Sequence, residues 1–307
     1  MTAPTIVMTG TSVGSERMGA ALVFGSAFFW SFGGAIARYL DISDSWTIVF
    51  WRCIFAGLFL LTFMLLRDGP RGTVELFRNM GWPGMAVGLS FATASTSFII
   101  AISYTTVANV VLIQAGVPLL AALMAWIFYR ERVSLFTWAA IAAVILGVAI
   151  MVSGSLTGSV SPIGDALALL IATVFALTTV ITRRYTNVRM TPAACLGAWM
   201  ACTIAATQAA SLSVTAGEMG LLVVFGALNL GLGMALFVTG ARLIPSALAA
   251  LLGTAETMLA PIWVAVIHGE VPNNRAITGG AIILAALLSY LWVQFRHQRM
   301  SATLAQS

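Results

Sequence analysis

The sequence predicts an all-α integral membrane protein of ten transmembrane helices, arranged as two inverted five-helix repeats with both termini in the cytoplasm. Three observations lead to this fold class: an extreme composition, ten long apolar segments and an uneven distribution of arginine. Hydrophobic residues make up 60% of the chain and charged residues only 8%, whereas roughly a quarter of the residues in a soluble domain are charged. The composition therefore predicts a chain that folds in lipid.

Ten apolar segments follow one another along the chain, and each is long enough to span a bilayer. A helix of about 20 residues crosses a hydrocarbon core of about 30 Å. The runs are unbroken instead of alternating as in a membrane β-barrel, and lipid cannot hydrogen-bond an open backbone, so the segments are expected to be helices. In chain order they are Gly19 to Ala37, Trp46 to Leu66, Trp82 to Ser103, Ala108 to Tyr129, Leu135 to Val152, Ile163 to Thr182, Pro192 to Leu212, Leu221 to Gly240, Pro245 to His268 and Ile277 to Phe295.

The connections between these segments are short. The longest, Arg67 to Gly81, contains the turn-forming residues Gly69, Pro70 and Gly72 and is predicted to be a loop. The first sixteen residues lack the basic start and cleavage site of a signal peptide, so the first span is expected to remain in the mature protein.

Arginine supplies the orientation of the predicted helices. The termini and every second gap hold Arg17, Arg67, Arg71, Arg78, Arg130, Arg132, Arg183, Arg184, Arg189, Arg242, Arg296 and Arg299. The other gaps hold only Arg38 and Arg275. The positive-inside rule therefore places the arginine-rich loops and both termini in the cytoplasm. The net charge of +5 is explained by attraction to anionic lipid headgroups, so lipid is an expected partner and nucleic acid is not.

The chain divides into two halves around an uncharged linker rich in serine and glycine. The predicted parts are a tail at 1–18, a first repeat at 19–153, a linker at 154–162, a second repeat at 163–295 and a tail at 296–307. A shift of 139 positions aligns Leu112 with Leu251 and Glu131 with Glu270, among other pairs. Because five spans form each repeat, the second copy is inverted, which is the architecture of transporters with a ligand site near the midplane.

Glu256 is the first candidate for a functional residue because it is the only acid near the middle of a predicted span. Such a residue usually serves function, since lipid exposure of a carboxylate is unfavourable. It could exchange a proton for substrate or bind a substrate ammonium group; alternatively it is a structural carboxyl bonded to neighbouring hydroxyls. Ser246 and Thr254 on the same span are further cavity candidates.

The third and fourth spans carry a second set of polar candidates. On the third span Ser90, Thr93, Ser97 and Tyr104 follow at spacings of three, four and seven, which puts them on one helix face. That face either lines an aqueous cavity or bonds to neighbouring helices. On the fourth span Asn109, Gln114 and Pro118 are candidates, and Pro118 is expected to free a carbonyl for a ligand or to form a packing kink.

Two residues on other spans complete the candidates, and a third residue, Arg52, is interpreted as structural. Asn229 on the eighth span can donate to and accept from an amino-acid-like ligand, while the nearby glycines are expected to serve close helix packing. Trp30, deep in the first span, is predicted to stack on a planar substrate. Arg52 lies about two turns from the outer end of its span and is expected to extend to the lipid headgroups.

The segment ANVVLIQAGVPLLAALMAWIFYRERVSLFTWAAIAAVILGVAIMV resembles the fourth and fifth helices of the drug/metabolite transporter superfamily, in its EamA-type branch. RCIFAGLFLL and FFWSFGGAIARY are similar to the second and first helices of that branch. The resemblance implies a multi-pass protein of the bacterial inner membrane, and length and aromatic content are similar to those of aromatic amino acid exporters in this branch. One departure is that Thr257, not proline, follows Glu256, with the proline at Pro261.

These residues together predict a secondary transporter that exports small amphipathic metabolites, amino acids and among them aromatic ones, by alternating access. The alternative within transport is a proton-coupled multidrug or nucleoside-type exporter, and a membrane scaffold is the alternative outside it. The chain has no phosphate-binding loop of the G-x-x-x-x-G-K-[ST] type, and it shows neither paired aspartates in a span nor a histidine cluster. Neither an enzyme nor a cofactor or metal is therefore expected, while substrate, coupling, direction and oligomeric state stay open.

Overall fold

The computed structural model describes residues 13–130, 134–156, 161–185, 187–241, 243–244 and 246–304, and within these ranges the regular structure is entirely helical. The α-helices are α1 (Val13–Ser31), α2 (Gly33–Tyr39), α3 (Ser45–Asn79), α4 (Gly81–Tyr104), α5 (Val107–Gln114), α6 (Val117–Tyr129), α7 (Leu135–Leu156), α8 (Pro162–Arg184), α9 (Thr191–Gln208), α10 (Ala216–Val223), α11 (Gly233–Gly240), α12 (Ser246–His268) and α13 (Asn274–Leu304). A π-helix, Val224–Leu232, lies between α10 and α11. The prediction of an all-α chain is confirmed.

Seven helical segments of the described residues are long and apolar enough to cross a membrane, and an eighth is the α5–α6 pair if it counts as one span. The segment Leu252–His268 is apolar but shorter. A multi-pass helical membrane protein is therefore the fold that these elements support. The count of ten spans and their orientation remain predictions.

Three of the predicted spans are interrupted. The first breaks between α1 and α2 at Phe32, and the eighth changes from α to π and back to α. The fourth bends by 42° between α5 and α6. Pro118 occupies the first turn of α6, where its missing N–H leaves no intrahelical bond unmade. The predicted proline break is thus present, and it coincides with the start of a new helix.

The predicted loop from Arg67 to Gly81 is wrong. Helical geometry continues through α3 to Asn79, and only Gly69 departs from it, with φ of +73°. This left-handed conformation is open to glycine without steric penalty. Pro70 then starts the continuing helix, because its ring fixes a helical φ at a first-turn position. The turn-forming residues therefore produce a kink within a helix.

Helices of the first half pack mainly on helices of the second half. The pairs are α3 with α9 and the π-helix, α4 with α8 and α9, α7 with α13, and α1 with α11 and α12. Glycine permits the closest approaches: a Cβ at Gly147 would lie 2.7 Å from the carbonyl oxygen of Gly279. The interface between the halves is therefore the centre of the molecule, and it leaves space around Trp30 and Glu256.

Candidate functional site

Two adjoining cavities lie at the interface of the two halves. The Arg52 cavity has a volume of about 140 Å³ and includes Arg52, Ser95, Phe98 and Asn229 in its wall. The Thr254 cavity has a volume of about 360 Å³ and includes Pro118 and Thr254. Six residues line both: Trp30, Phe91, Gln114, Phe175, Met234 and Glu256. The shared wall makes the two cavities parts of one central site.

The Thr254 cavity extends toward the arginine-rich end of the molecule. Its wall includes Thr182 at the end of α8 and Met190 just before α9. Arg184 is the last residue of α8, and Arg189 lies in the connection between these helices. The wall of the Arg52 cavity contains neither Thr182 nor Met190.

Arg52 is buried at the interface, with only 6% of its surface exposed. Its Nη1 donates to the Ser95 Oγ at 3.2 Å and to the Ser95 carbonyl oxygen at 3.5 Å. The guanidinium carbon lies 4.5 Å from the ring centroid of Phe225 and 5.6 Å from that of Phe98, within range of cation–π attraction. The expectation that Arg52 extends to the lipid headgroups is therefore wrong. Both rings come from helices distant in sequence, and Arg52 extends between them.

The backbone of α3 at Arg52 packs directly against the π-helix. A Cβ at Gly226 would collide with the carbonyl oxygen of Arg52 and would lie 2.6 Å from the Cβ of Phe55. The expectation that the glycines of this span serve close packing is confirmed here. This contact fixes the base of the Arg52 side chain at the cavity.

Glu256 lies in the wall of both cavities, on α12. No hydrogen bond or salt bridge joins its carboxylate to another of the described residues. Its electrostatic partner is Arg52, which attracts it across the site without direct contact. No hydroxyl group among the described residues therefore bonds to Glu256, as its interpretation as a structural carboxyl would require.

Asn229 holds the break between α1 and α2. Its Nδ2 donates to the carbonyl oxygens of Phe29 at 2.6 Å and of Trp30 at 3.3 Å, which belong to the last turn of α1. Carbonyls at a helix end lack intrahelical donors, so a buried amide is well suited to them. Asn229 therefore lines the Arg52 cavity and also bonds the backbone of Trp30, one of the six residues that line both cavities.

Trp30 presents its indole to both cavities. The ring packs on Gly233, where a Cβ would lie 2.6 Å from Cδ1. Its Nε1 is buried and has no hydrogen-bond partner among the described residues. Nε1 is also the ring atom nearest to the Cβ position of Gly233, so it lies in the contact with α11.

The remaining candidates are Gln114, Pro118, Thr254 and Ser246. Gln114 lines both cavities and donates from Nε2 to the Val110 carbonyl at 3.2 Å. Pro118 and Thr254 line the Thr254 cavity. The side chain of Ser246 lies outside the described residues.

The polar face predicted on the third span does not reach the two cavities. Neither wall contains Ser90, Thr93, Ser97 or Tyr104, and Tyr104 is 46% exposed at the end of α4. The face of α4 that lines the site carries Phe91, Ala94, Ser95 and Phe98 instead. The four predicted residues therefore do not line these two cavities, and Thr93 donates to the Leu89 carbonyl of its own helix at 3.0 Å.

Asn109 also lies away from the two cavities, in a buried polar network. Its Nδ2 donates to Asp165 Oδ1 and to Thr105 Oγ1, both at 3.3 Å. Asp165, in the first turn of α8, is 1% exposed. Glu256 is therefore not the only deeply buried acid, because Asp165 near a predicted span end is buried by helix packing.

An ion pair joins the end of α2 to the connection after α12, at the end of the molecule where α8 begins. Arg38 Nε lies 2.9 Å from Glu270 Oε2. Arg38 Nη2 donates to the Thr105 carbonyl at 3.2 Å, and Glu270 Oε1 accepts the Val107 amide at 3.0 Å. Trp263 adds a bond from Nε1 to Ser31 Oγ at 2.9 Å. We refer to Arg38, Glu270, Thr105 and Val107 as the outer cluster.

Sequence reasoning missed Arg52 and the aromatic residues Phe91, Phe98 and Phe175 as parts of the site. The presence of an arginine inside a span was the available signal for Arg52, since charges within spans are rare and usually face the protein interior. No comparable signal distinguishes the three phenylalanines, because apolar residues occupy most positions of a membrane helix.

A sequence model of the EamA-like transporter family matches this chain over residues 17–153 and 162–292. Solute carrier family 35 member F2 of Mus musculus is 32% identical over 133 residues, which are 40% of this chain and 35% of the mouse protein. The chain thus matches about a third of that relative's length. A crystal structure of a protein is similar with a TM-score of 0.63 over 91% of this chain and 98% of its own chain, at 17% identity. At that identity the similarity concerns the fold.

Proposed function

Because the chain belongs to the EamA-like transporter family, of the drug/metabolite transporter superfamily, we propose that it is a secondary transporter that exports amino acids, aromatic ones included, across the bacterial inner membrane. The resemblance found in the sequence to this branch is confirmed. A transporter, and not an enzyme, is also the class of the mouse relative, a solute carrier by name. The substrate class, the direction of transport and the type of membrane are proposed in addition to the family membership.

The observation that carries the proposal is the central site, which combines one buried cation, one carboxylate and aromatic walls. Arg52 and Glu256 line the same cavity with Trp30, Phe91 and Phe175. Apolar walls with a few well-placed polar groups are typical of small-molecule sites. Such a wall accepts the planar side chain of an aromatic amino acid and offers charges to its polar end.

Alternating access requires a molecule that opens to one side while it is closed on the other. We propose that the outer cluster closes one end, and the Thr254 cavity extends toward the arginine-rich end. We propose ten spans in two inverted repeats, with the arginine-rich end in the cytoplasm. Under this topology the conformation described here receives substrate from the cytoplasm, as an exporter must.

The test is transport by purified protein in liposomes loaded with a panel of unlabelled amino acids. Counterflow of labelled phenylalanine or tryptophan above that of protein-free liposomes is the expected result. The same panel includes nucleosides and cationic drugs, because these represent the alternative exporter. Uptake of those compounds with no amino acid transport would contradict the proposed substrate class and favour the alternative exporter. No uptake of any solute would favour a membrane scaffold.

A further inference from the structure

We propose that Arg52 binds the carboxylate of the substrate and Glu256 its ammonium group, so that the site selects zwitterions over molecules that carry only one of the two charges. This inference rests on the proposed function and assigns the roles of two residues within it. It is carried by two observations: both side chains line one cavity, and neither makes a direct ion pair with another of the described residues.

Arg52 has donors to spare. A guanidinium has five N–H groups, and only Nη1 donates to the described residues, to a single serine. Nε is buried and has no partner there. A carboxylate is the acceptor that matches the planar fork of a guanidinium.

Arg52 also lacks a carboxylate in direct contact. The two salt bridges among the described residues are Arg38 with Glu270 and Arg189 with Asp68. Phe225 and Phe98 cover the guanidinium and keep its charge away from water. A buried charge without a paired counter-ion is costly, which favours binding of an anion at this point.

The Glu256 carboxylate, in the same cavity, requires a cationic hydrogen-bond donor. Its carboxylate interacts with Arg52 only at a distance, and no described residue donates a hydrogen bond to it. An ammonium group carries three donors and one positive charge. A zwitterion placed between the two side chains therefore gives each charge a direct partner.

Molecules with one charge satisfy only half of this site. An amine without a carboxylate leaves the donors of Arg52 unpaired, and an acid without an ammonium group meets the negative charge of Glu256. A site built to pair a polar group rejects the analogue that lacks it, because its own buried groups are then unsatisfied. The aromatic wall formed by Trp30, Phe91 and Phe175 contacts the side chain in all three cases.

The test compares phenylalanine, phenethylamine, which lacks the carboxylate, and 3-phenylpropionate, which lacks the ammonium group. Each competes with labelled phenylalanine for counterflow into proteoliposomes, and each is also titrated against the thermal stability of the detergent-purified protein. We expect phenylalanine to bind about tenfold or more tightly than either analogue, as for a charged hydrogen bond lost in a buried site.

The variants give a crossed pattern. Arg52→Gln should remove the preference for phenylalanine over phenethylamine and keep the preference over 3-phenylpropionate. Glu256→Gln should do the reverse. Non-specific damage to the site would reduce both preferences together. Opposite effects of the two variants therefore distinguish a loss of ligand recognition from a loss of stability.

Two exposed residues supply matched controls. Arg67→Gln removes an arginine from the same helix as Arg52, and Glu75→Gln removes a glutamate from the exposed part of α3. Both should keep the wild-type order of the three ligands. Arg52→Lys keeps the charge without the fork and should retain the preference at lower affinity.

The inference is overturned if Arg52→Gln still prefers phenylalanine over phenethylamine, or if wild-type protein binds the three ligands equally. The wild-type series decides alone where a variant does not fold. Transport of amino acids without the crossed pattern would remove only the charge assignment, whereas transport of other solutes alone would remove the proposed function as well.

Discussion

Arg38 Nε lies 2.9 Å from Glu270 Oε2, and this ion pair joins the end of α2 to the connection that follows α12. The two residues are 232 positions apart and belong to different halves of the chain. Each also bonds the backbone between α4 and α5, at Thr105 and Val107. Three segments of the chain therefore meet at one pair of side chains. An opening of this end must break that pair.

Replacement of Glu270 by glutamine should make this end more accessible. Both side chains are partly exposed, at 32% and 20%, so the pair contributes up to about 1 kcal/mol, or about a fivefold change in population. The measurement is labelling by a membrane-impermeant thiol reagent of a cysteine at Ala35, which is 2% exposed, in a protein without its native cysteines. We expect a rise of up to about fivefold.

The charge-swapped double variant, Arg38→Glu with Glu270→Arg, is the control for this experiment. It should restore slow labelling because the pair can form again with reversed polarity. Equal labelling of wild type and Glu270→Gln would show that the ion pair does not hold this end closed.

Replacement of Glu256 by glutamine should abolish any dependence of transport on the proton gradient. Glutamine keeps the shape of the side chain and cannot exchange a proton. Transport driven by an imposed pH gradient, with Glu75→Gln as the exposed control, measures the effect. A gradient response that persists in the Glu256 variant would assign the coupling to another group.

Replacement of Asn229 by alanine should destabilise the protein by about 1 to 3 kcal/mol, because the carbonyls of Phe29 and Trp30 lose their buried donor. The thermal midpoint of the purified protein reports this loss. Asn187→Ala, at an exposed position, should leave the midpoint unchanged. A similar small effect of both variants would mean that the Asn229 bonds contribute little to the packing of α1.

Replacement of Gly226 by alanine should destabilise the protein by about 1 to 3 kcal/mol, as expected when a methyl group enters a packed interface. The new Cβ would meet backbone of α3 at Arg52, which cannot rotate away as a side chain can. Gly220→Ala is the matched control, because nothing lies within 4 Å of a Cβ there. Alanine should raise helix stability at Gly220 by up to about 1 kcal/mol. Thermal unfolding that ranks the two variants in the opposite order would contradict the close α3 contact.

The sequence predicts the helices well because apolar runs long enough for a bilayer are expected to be helical. It does not predict how they are interrupted. The π-helix that begins at Val224 packs on α3, and the second helical stretch of α3 follows a kink at one left-handed residue, Gly69. Both are decided by packing and local backbone geometry that periodicity does not encode.

The site was predicted in part. Trp30, Gln114, Asn229 and Glu256 were found because polar or aromatic groups deep in spans are unusual, and the structure brings them to one cavity. The hydroxyls of the third span were expected to line a cavity or to bond to neighbouring helices. Thr93 bonds its own helix instead, and the wall is formed by the apolar face of α4.

The π-helix at Val224–Leu232 contains a surplus residue relative to an α-helix of the same rise. Returning that stretch to α geometry would re-index the segment, since each residue of an α-helix turns it by about 100°. Asn229 would then leave the carbonyls of Phe29 and Trp30 as its helix turns, with no change of side-chain rotamer. Rewinding of this one helix would therefore release the backbone carbonyls at the end of α1 next to Trp30, which lines both cavities.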